Sequence, residues 1–219
     1  MADKNRGEEF KSPLCRLRNA KKLYVASAYQ NDINGRKTYG AELVFPASDR
    51  PLLEAKVAEV LAKMPKGFER AKAGIIVSPI IDGAGKQAKY QSGDNVGEIK
   101  PGLGVGTIFI RPTAIYELNG QLMPPPWVRW LSKDEPALFG PGMIYSGCYG
   151  KAVLNVYEWS DGKGLSFGIS GFQKLQDGEP LGSDGGGASD PAKWVETIAD
   201  SGEAPAETKT GAGASGLFG

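Results

Sequence analysis

Two alternating runs joined by a tight polar turn constrain this chain more than any other feature. They lie between Met143 and Gly182, and Ser160-Asp161-Gly162-Lys163 joins them with a glycine placed to take positive φ. In the first run Cys148, Gly150, Ala152, Leu154 and Val156 fall on one face, small and apolar as a barrel interior requires. Tyr149, Lys151, Val153, Asn155, Tyr157 and Trp159 fall on the other. In the return run Leu165, Phe167 and Ile169 share one face, and Ser166, Gly168, Ser170, Phe172, Lys174 and Gln176 share the other. The pattern predicts a hairpin with a core face and an opposite face of rings, cations and amides. Bases stack on rings and phosphates need cations, so a single-stranded nucleic acid suits such a face. An ordinary sheet whose outer rings are covered by a loop or helix carries the same alternation.

The 219 residues include no histidine. That removes the usual general base and the commonest metal ligand, and with them any His-dependent triad or His-containing zinc site. Cys15 and Cys148 cannot make a Cys₄ site and are too few for a disulfide framework, so reduced thiols are expected and no metal or cofactor is assigned. No apolar run reaches the length of a membrane span, and the N-terminal MADKNRGEEFKS is charged, so a soluble, unsecreted protein with no membrane partner is expected. Glycine at 31 residues, with aromatic and β-branched runs, favours a β-rich fold. Net charge is +1, but residues 1–182 carry 24 Lys+Arg against 19 Asp+Glu, while residues 183–219 carry 2 against 6. A basic body with an acidic tail suits a polyanion binder whose tail competes for the same surface.

Along the chain, residues 1–12 read as a flexible lead-in, and Arg16, Arg18, Lys21 and Lys22 form a basic cluster entering a strand at Leu23–Tyr29. Asn34-Gly35 signals a hairpin into a second strand, Lys37–Phe45. Ser48 or Asp49 can cap a helix with Pro51 in its first turn. Leu53, Val57, Val60, Leu61 and Met64 give that helix one apolar face, and Pro65-Lys66-Gly67 ends it. A long loop from Ser78 to about Lys100 holds Lys86, Lys89 and Tyr90. Leu103–Arg111 is a strand; its Gly102-x-Gly104-x-Gly106 precedes a strand rather than a helix and is no dinucleotide fingerprint. Asn119-Gly120 marks another hairpin, and Pro124-Pro125-Pro126-Trp127-Val128-Arg129-Trp130 is extended, its tryptophans stacking bases or, the favoured reading, pinning the loop. Ser183–Ser189 is a Gly-rich linker, Asp190-Pro191 opens a short helix, and the chain ends in a mildly acidic disordered tail.

Tyr145-Ser146-Gly147-Cys148-Tyr149, the turn Asp161-Gly162-Lys163-Gly164, and Gln173 to Gly182 carry a family pattern: Y-x-G-C-Y, a glycine-bearing hairpin, then Q-x-x-x-D-G-E-x-L-G. With the phrase Phe45-Pro46-Ala47-Ser48-Asp49 and the pair Arg111-Pro112, the chain resembles bacteriophage single-stranded DNA-binding proteins with an OB-fold core. The resemblance is loose over Arg16–Gly182 and close over Tyr145–Gly182.

The resemblance implies a mainly β fold: a five-stranded OB barrel over residues 13–182, with inserted hairpins, one amphipathic helix and a tail over 183–219. It implies sequence-tolerant binding of single-stranded DNA during phage replication, recombination or repair in the host cytoplasm, without catalysis. Strand alternation and loop position then nominate Tyr39, Tyr90, Tyr149, Tyr157 and Trp159 for stacking, and Arg36, Lys37, Lys86, Lys89, Arg111 and Lys151 for phosphates. Leu217 and Phe218 in the tail are candidates for gripping replication or recombination proteins, and a homo-oligomer is compatible with the sequence. Two other classes compete. A virion structural protein also uses β-rich domains and flexible tails. An enzyme would need Asp134-Glu135 or Asp177 with Glu179 as paired carboxylates, yet neighbours on a strand or loop do not generally converge and Asp177-Gly178-Glu179-Pro180 reads as a turn.

Overall fold

The computed structural model describes residues 5–28, 37–130 and 144–181. Among these described residues, thirteen strands and two α-helices follow in chain order: β1 Phe10–Lys11, β2 Cys15–Arg18, β3 Ser27–Ala28, β4 Lys37–Gly40, β5 Glu42–Pro46, α1 Arg50–Leu61, α2 Gly67–Lys72, β6 Ile81–Asp82, β7 Thr107–Ile110, β8 Thr113–Ile115, β9 Glu117–Leu118, β10 Gln121–Leu122, β11 Trp127–Trp130, β12 Tyr149–Glu158 and β13 Leu165–Gln176. Three pairs are halves of bent strands. β2 and β3 are separated by a 3-10 turn at Ala20–Leu23, β4 and β5 by Ala41, and β7 and β8 by Arg111-Pro112.

Counted this way, five strands close a ring. The first pairs antiparallel with the second (β2 with β5, β3 with β4). The second pairs antiparallel with the third (β5 with β7, β4 with β8). The third runs parallel to the fifth at Thr113 and Gly168. The fifth and fourth, β13 and β12, form the long antiparallel hairpin, and β12 returns to β2. This order, with its one parallel contact between strands three and five, is the OB barrel expected from the sequence.

The barrel interior is filled by the predicted face of β12, where Cys148, Ala152, Leu154 and Val156 are all buried. The return strand follows a different rule. Val153 stands opposite Gly171 but Leu154 opposite Ile169, so Ser170 is an extra residue in β13; a second shift inserts Leu175. Each bulge moves the following side chains to the other face. Leu165, Phe167 and Ile169 point inward, and beyond the first bulge so do Phe172 and Lys174, both fully buried. Unbroken alternation had placed Phe172 and Lys174 outside; the bulge corrects that. Asn155 is a second correction. It is buried beside the Arg6 guanidinium, which its amide oxygen meets once the amide is turned to suit, and it covers Gly168, where no side chain would fit.

From Gly7 onward the expected lead-in is instead laid along β12. The Gly7 N–H donates to Val156 O at 2.7 Å, Phe10 and Lys11 pair with Leu154 and Val153, and Ser12 N–H donates to Ala152 O. Helix α1 closes one end of the core through Leu53, Val60 and Leu61, with Met64 buried just beyond and Val57 half-buried against them. Burial of each such side chain stabilises by about 1.5–3 kcal/mol. Asp49 occupies the N-cap without a side-chain cap bond, and Pro51 sits in the first turn. The chain leaves through Lys66 at φ 52° and starts α2, which the sequence did not announce. Asn119 (φ 53°) and Gly120 (φ 80°) form the predicted two-residue turn between β9 and β10. Trp127 pairs along β13 with its ring over Gly171, so the polyproline segment is pinned to the barrel. Arg36 and the hairpin signal at Asn34-Gly35, the connector 133–142, and everything from Gly182, including Leu217 and Phe218, lie outside the described residues.

Candidate nucleic-acid interface

The bends in strands two and three open the surface. Pro112 has no N–H to give to the ladder, and the Ala41 N–H reaches its carbonyl at 3.2 Å. Gly40 lies so close that a Cβ there would come within 2.8 Å of Pro112 O. Around this small-residue floor runs an open groove of about 480 Å³, lined by Asn19, Lys22, Ser27 and Ala28 of strand one, Thr38 to Glu42 of strand two, Arg111 to Thr113 of strand three, and Lys100 from the long loop.

Its electrostatics centre on one carboxylate. Register places Arg18 opposite Glu42, with Arg111 beside it on strand three. Glu42 Oε2 accepts from Arg18 Nη1 at 2.7 Å and Oε1 accepts from Arg111 Nε at 3.0 Å. Arg18 and Glu42 are buried; the Arg111 side chain is 42% exposed. The remaining Arg111 nitrogens donate to Gln87 Oε1 and Gln87 O, both at 3.3 Å, and the guanidinium lies 5.1 Å from the Phe109 ring centre. The Lys100 ammonium is held below the ordinary lysine range, first by burial and then by repulsion from Arg111, Arg18 and Lys22, against the opposing pull of Glu42. Two arginines thus flank one carboxylate, and Lys22 and Lys100 line the same groove. The lining cations outnumber the one carboxylate, and a cleft of net positive charge attracts polyanions.

The nominated residues fall into three groups. Arg111 and Tyr39 line the groove itself. Tyr39 is 7% exposed, its ring edge-to-face with Tyr116 at 5.6 Å and its hydroxyl 3.4 Å from Met123 O. Lys37 is exposed, its ammonium 5.9 Å from the centre of the Tyr116 ring. Tyr157 is half-buried and reaches Thr113, a groove residue, hydroxyl to hydroxyl at 3.0 Å. Lys86, Lys89 and Tyr90 belong to the long loop, which joins the barrel through Ala88 packed on Val44 and Phe109 and through Gln87 on Arg111. Tyr149 and Lys151 lie further round, on β12; Tyr149 stacks under the Arg16 guanidinium at 5.6 Å. Trp159 donates from Nε1 to Ser166 Oγ at 2.7 Å and covers Gly164, so part of its ring is spent on the hairpin. Lys22, Lys100, Glu42 and Tyr116 were missed. Lys22 had a signal, the basic cluster before the first strand; the others become neighbours only through register and loop path.

The residues carrying the sequence pattern serve another purpose. Gly147, at φ 122°, meets the Glu179 carbonyl where any Cβ would clash. Arg16 donates to Gly147 O at 3.2 Å and to Glu179 O at 2.8 Å, and the Leu181 N–H donates to Ser146 O at 2.7 Å. Buried Lys174 sits 2.6 Å from Asp177 Oδ1 and 4.9 Å from the centre of the Tyr145 ring. These contacts clasp the start of β12 to the segment after β13.

A closed five-stranded barrel with a cationic groove across strands one to three defines an OB-fold protein of the oligonucleotide-binding type. The family model described as the ssDNA-binding protein of Enterobacter phage Enc34 matches residues 15–201, and the chain belongs to that family. The solved structure of the single-stranded DNA-binding protein from bacteriophage Enc34 in complex with ssDNA is similar with a TM-score of 0.50 at 19% identity, covering 82% of this chain and 94% of that one. The single-stranded DNA-binding protein gp2.5 of bacteriophage T7 is similar with a TM-score of 0.45 at 19% identity, covering 88% and 97%. No curated protein matches the chain in sequence.

Proposed function

We propose that this protein binds single-stranded DNA, with little base preference, in the groove across strands one to three, and does so during phage DNA replication, recombination or repair in the host cell. The observation that carries the reading is the groove lined by Lys22, Lys100 and Arg111, with Arg18 buried behind it on Glu42, on the face that OB barrels use for oligonucleotides. Lys22, Lys37, Lys100 and Arg111 neutralise phosphates and release counterions. Tyr116 and Tyr157, both half-exposed, offer ring faces along the same wall, whereas the buried Tyr39 supports Tyr116. Lys86, Lys89 and Tyr90 extend the track along the loop, and Tyr149, Lys151 and Trp159 serve a strand that continues onto β12. Arg36 precedes Lys37 and belongs to the same cationic run.

The test is a titration of intrinsic tryptophan fluorescence with a dT oligomer at two salt concentrations, with duplex DNA as competitor. Binding that prefers the single strand and falls with salt, at about −0.7 in log–log slope per phosphate contacted, is expected. Equal affinity for duplex and single strand, or a slope near zero, overturns the reading. The tail beyond Gly182 lowers that affinity by competing for the groove and recruits partners through Leu217 and Phe218. A chain ending at Gly182 should bind a few-fold tighter at low salt, an advantage that fades as screening shortens the reach of exposed charges to about 8–10 Å.

A further inference from the structure

The groove holds an anomaly for a polyanion site: a carboxylate at its centre. Glu42 is 7% exposed and lies between Arg18 and Arg111, where its charge opposes any phosphate. Removing it would raise the local charge by one and, on electrostatics alone, favour DNA. The geometry of Arg111 supplies a reason for its presence. An arginine side chain has several rotatable bonds, and fixing it costs entropy each time it engages a ligand. Glu42 Oε1 takes only Nε, at 3.0 Å, the nitrogen nearest the stem. The two terminal nitrogens go to Gln87 at 3.3 Å each, beyond the usual 2.7–3.2 Å range and therefore weak. The stem is gripped and the fork is loosely held. Glu42 is itself held by Arg18, whose Nη1 donates to the other oxygen at 2.7 Å and which is buried at 2% exposure.

On the reading that single-stranded DNA occupies this groove, we infer that Glu42 is a positioning residue for that binding. Anchored by Arg18, it holds the Arg111 guanidinium over the Phe109 ring so that its terminal nitrogens can exchange Gln87 for a backbone phosphate, bidentate, without a search through rotamers. Local charge is surrendered for preorganisation. Because the effect passes through Arg111, it has a signature that charge alone lacks.

The experiment is a double-mutant cycle on dT-oligomer affinity with the full chain, using Glu42→Gln, Arg111→Ala and the pair, with thermal melts alongside. Glu42→Gln is expected to weaken binding about five- to tenfold despite removing a negative charge that opposes phosphate, and to have no further effect in the Arg111→Ala background. Removing the carboxylate beside a buried arginine can unfold the barrel. Glu42→Asp, which keeps the charge beside Arg18 and shortens the reach to Arg111, therefore runs through the same cycle and is expected to weaken binding in the same Arg111-dependent way. Affinity equal to or above the wild type in the folded variants, or a loss that persists undiminished without Arg111, overturns the inference. Lys22→Ala and Lys100→Ala separate the two levels. If they weaken binding while the Glu42 variants do not, the groove reading stands and only Glu42's role falls. If neither they nor Arg111→Ala change affinity, both fall.

Discussion

The Tyr145 hydroxyl accepts the Gly178 N–H at 3.1 Å, and its own proton lies within reach of Gly178 O at 2.8 Å and Asp177 Oδ1 at 2.9 Å. One oxygen thus ties the segment entering β12 to the segment leaving β13. Tyr145→Phe keeps the ring under Lys174 and removes only these bonds. It should cost about 1–2 kcal/mol in urea denaturation and leave dT affinity within twofold of the wild type. A large loss of affinity with unchanged stability would place Tyr145 in the binding site instead of the clasp.

Asp177 gives the clasp a pH dependence of definite sign. Hydrogen bonds from Lys174 first, and then from Tyr145, hold its carboxyl below its ordinary value of 3.8. A carboxyl lowered in the folded state contributes stability that is fully present above the unfolded value and is lost as pH falls through the folded one. Wild-type stability should therefore decline as pH drops below about 4. Asp177→Asn should be less stable at pH 7 and show a shallower decline in that window, by urea melts at stepped pH. Identical acid profiles for the two proteins would remove Asp177 from the linkage.

Legibility follows physical locality. The hairpin turn at Gly162, the Asn119-Gly120 turn and the inward face of β12 depend on neighbouring residues, and the sequence states them. The bulges at Ser170 and Leu175 are features of the register with β12, so Phe172 and Lys174 appear on the wrong face until the partner strand is present. The site divides in the same way. Arg111 was readable as the end of a strand, but its neighbours Lys100 and Lys22 come from 11 and 89 positions away along the chain. The motif that identifies the family is structural. Its glycines and tyrosine fit the clasp, where backbone passes too close for a side chain, and the cations of the groove form no sequence pattern of their own.

Both thiols are buried and should be unreactive in the native state. Desolvation pushes the Cys15 thiol up to about 12 and raises that of Cys148, and Cys15 donates to Gly150 O at 3.3 Å. Only the thiolate reacts with disulfide reagents. At pH 8 an aromatic disulfide probe should find no reactive thiol in the folded protein and two after denaturation. Rapid native labelling would mean that the seam between β2 and β12, where both cysteines sit, opens on the timescale of the assay.

The groove predicts which lysines matter and how their loss reads out. Lys22 and Lys100 line it, whereas Lys56 sits on the outer surface of α1, 2.6 Å from Glu59 and turned toward the Phe10 ring. All three carry one charge, so their removal changes net charge equally and any difference is one of place. A lysine that neutralises a phosphate contributes about −0.7 to the slope of log affinity against log salt. Lys22→Ala and Lys100→Ala should each make that slope shallower by about this amount, and together by about twice as much. Affinity at 50 mM salt should fall severalfold per lysine, and the difference should narrow at 200 mM as fewer counterions are at stake. Lys56→Ala should leave slope and affinity near the wild type, because an exposed i,i+3 pair contributes little to anything. Equal effects from all three would mean that the protein attracts DNA by overall charge. No effect from Lys22 and Lys100, with binding intact, would move the DNA off this face of the barrel.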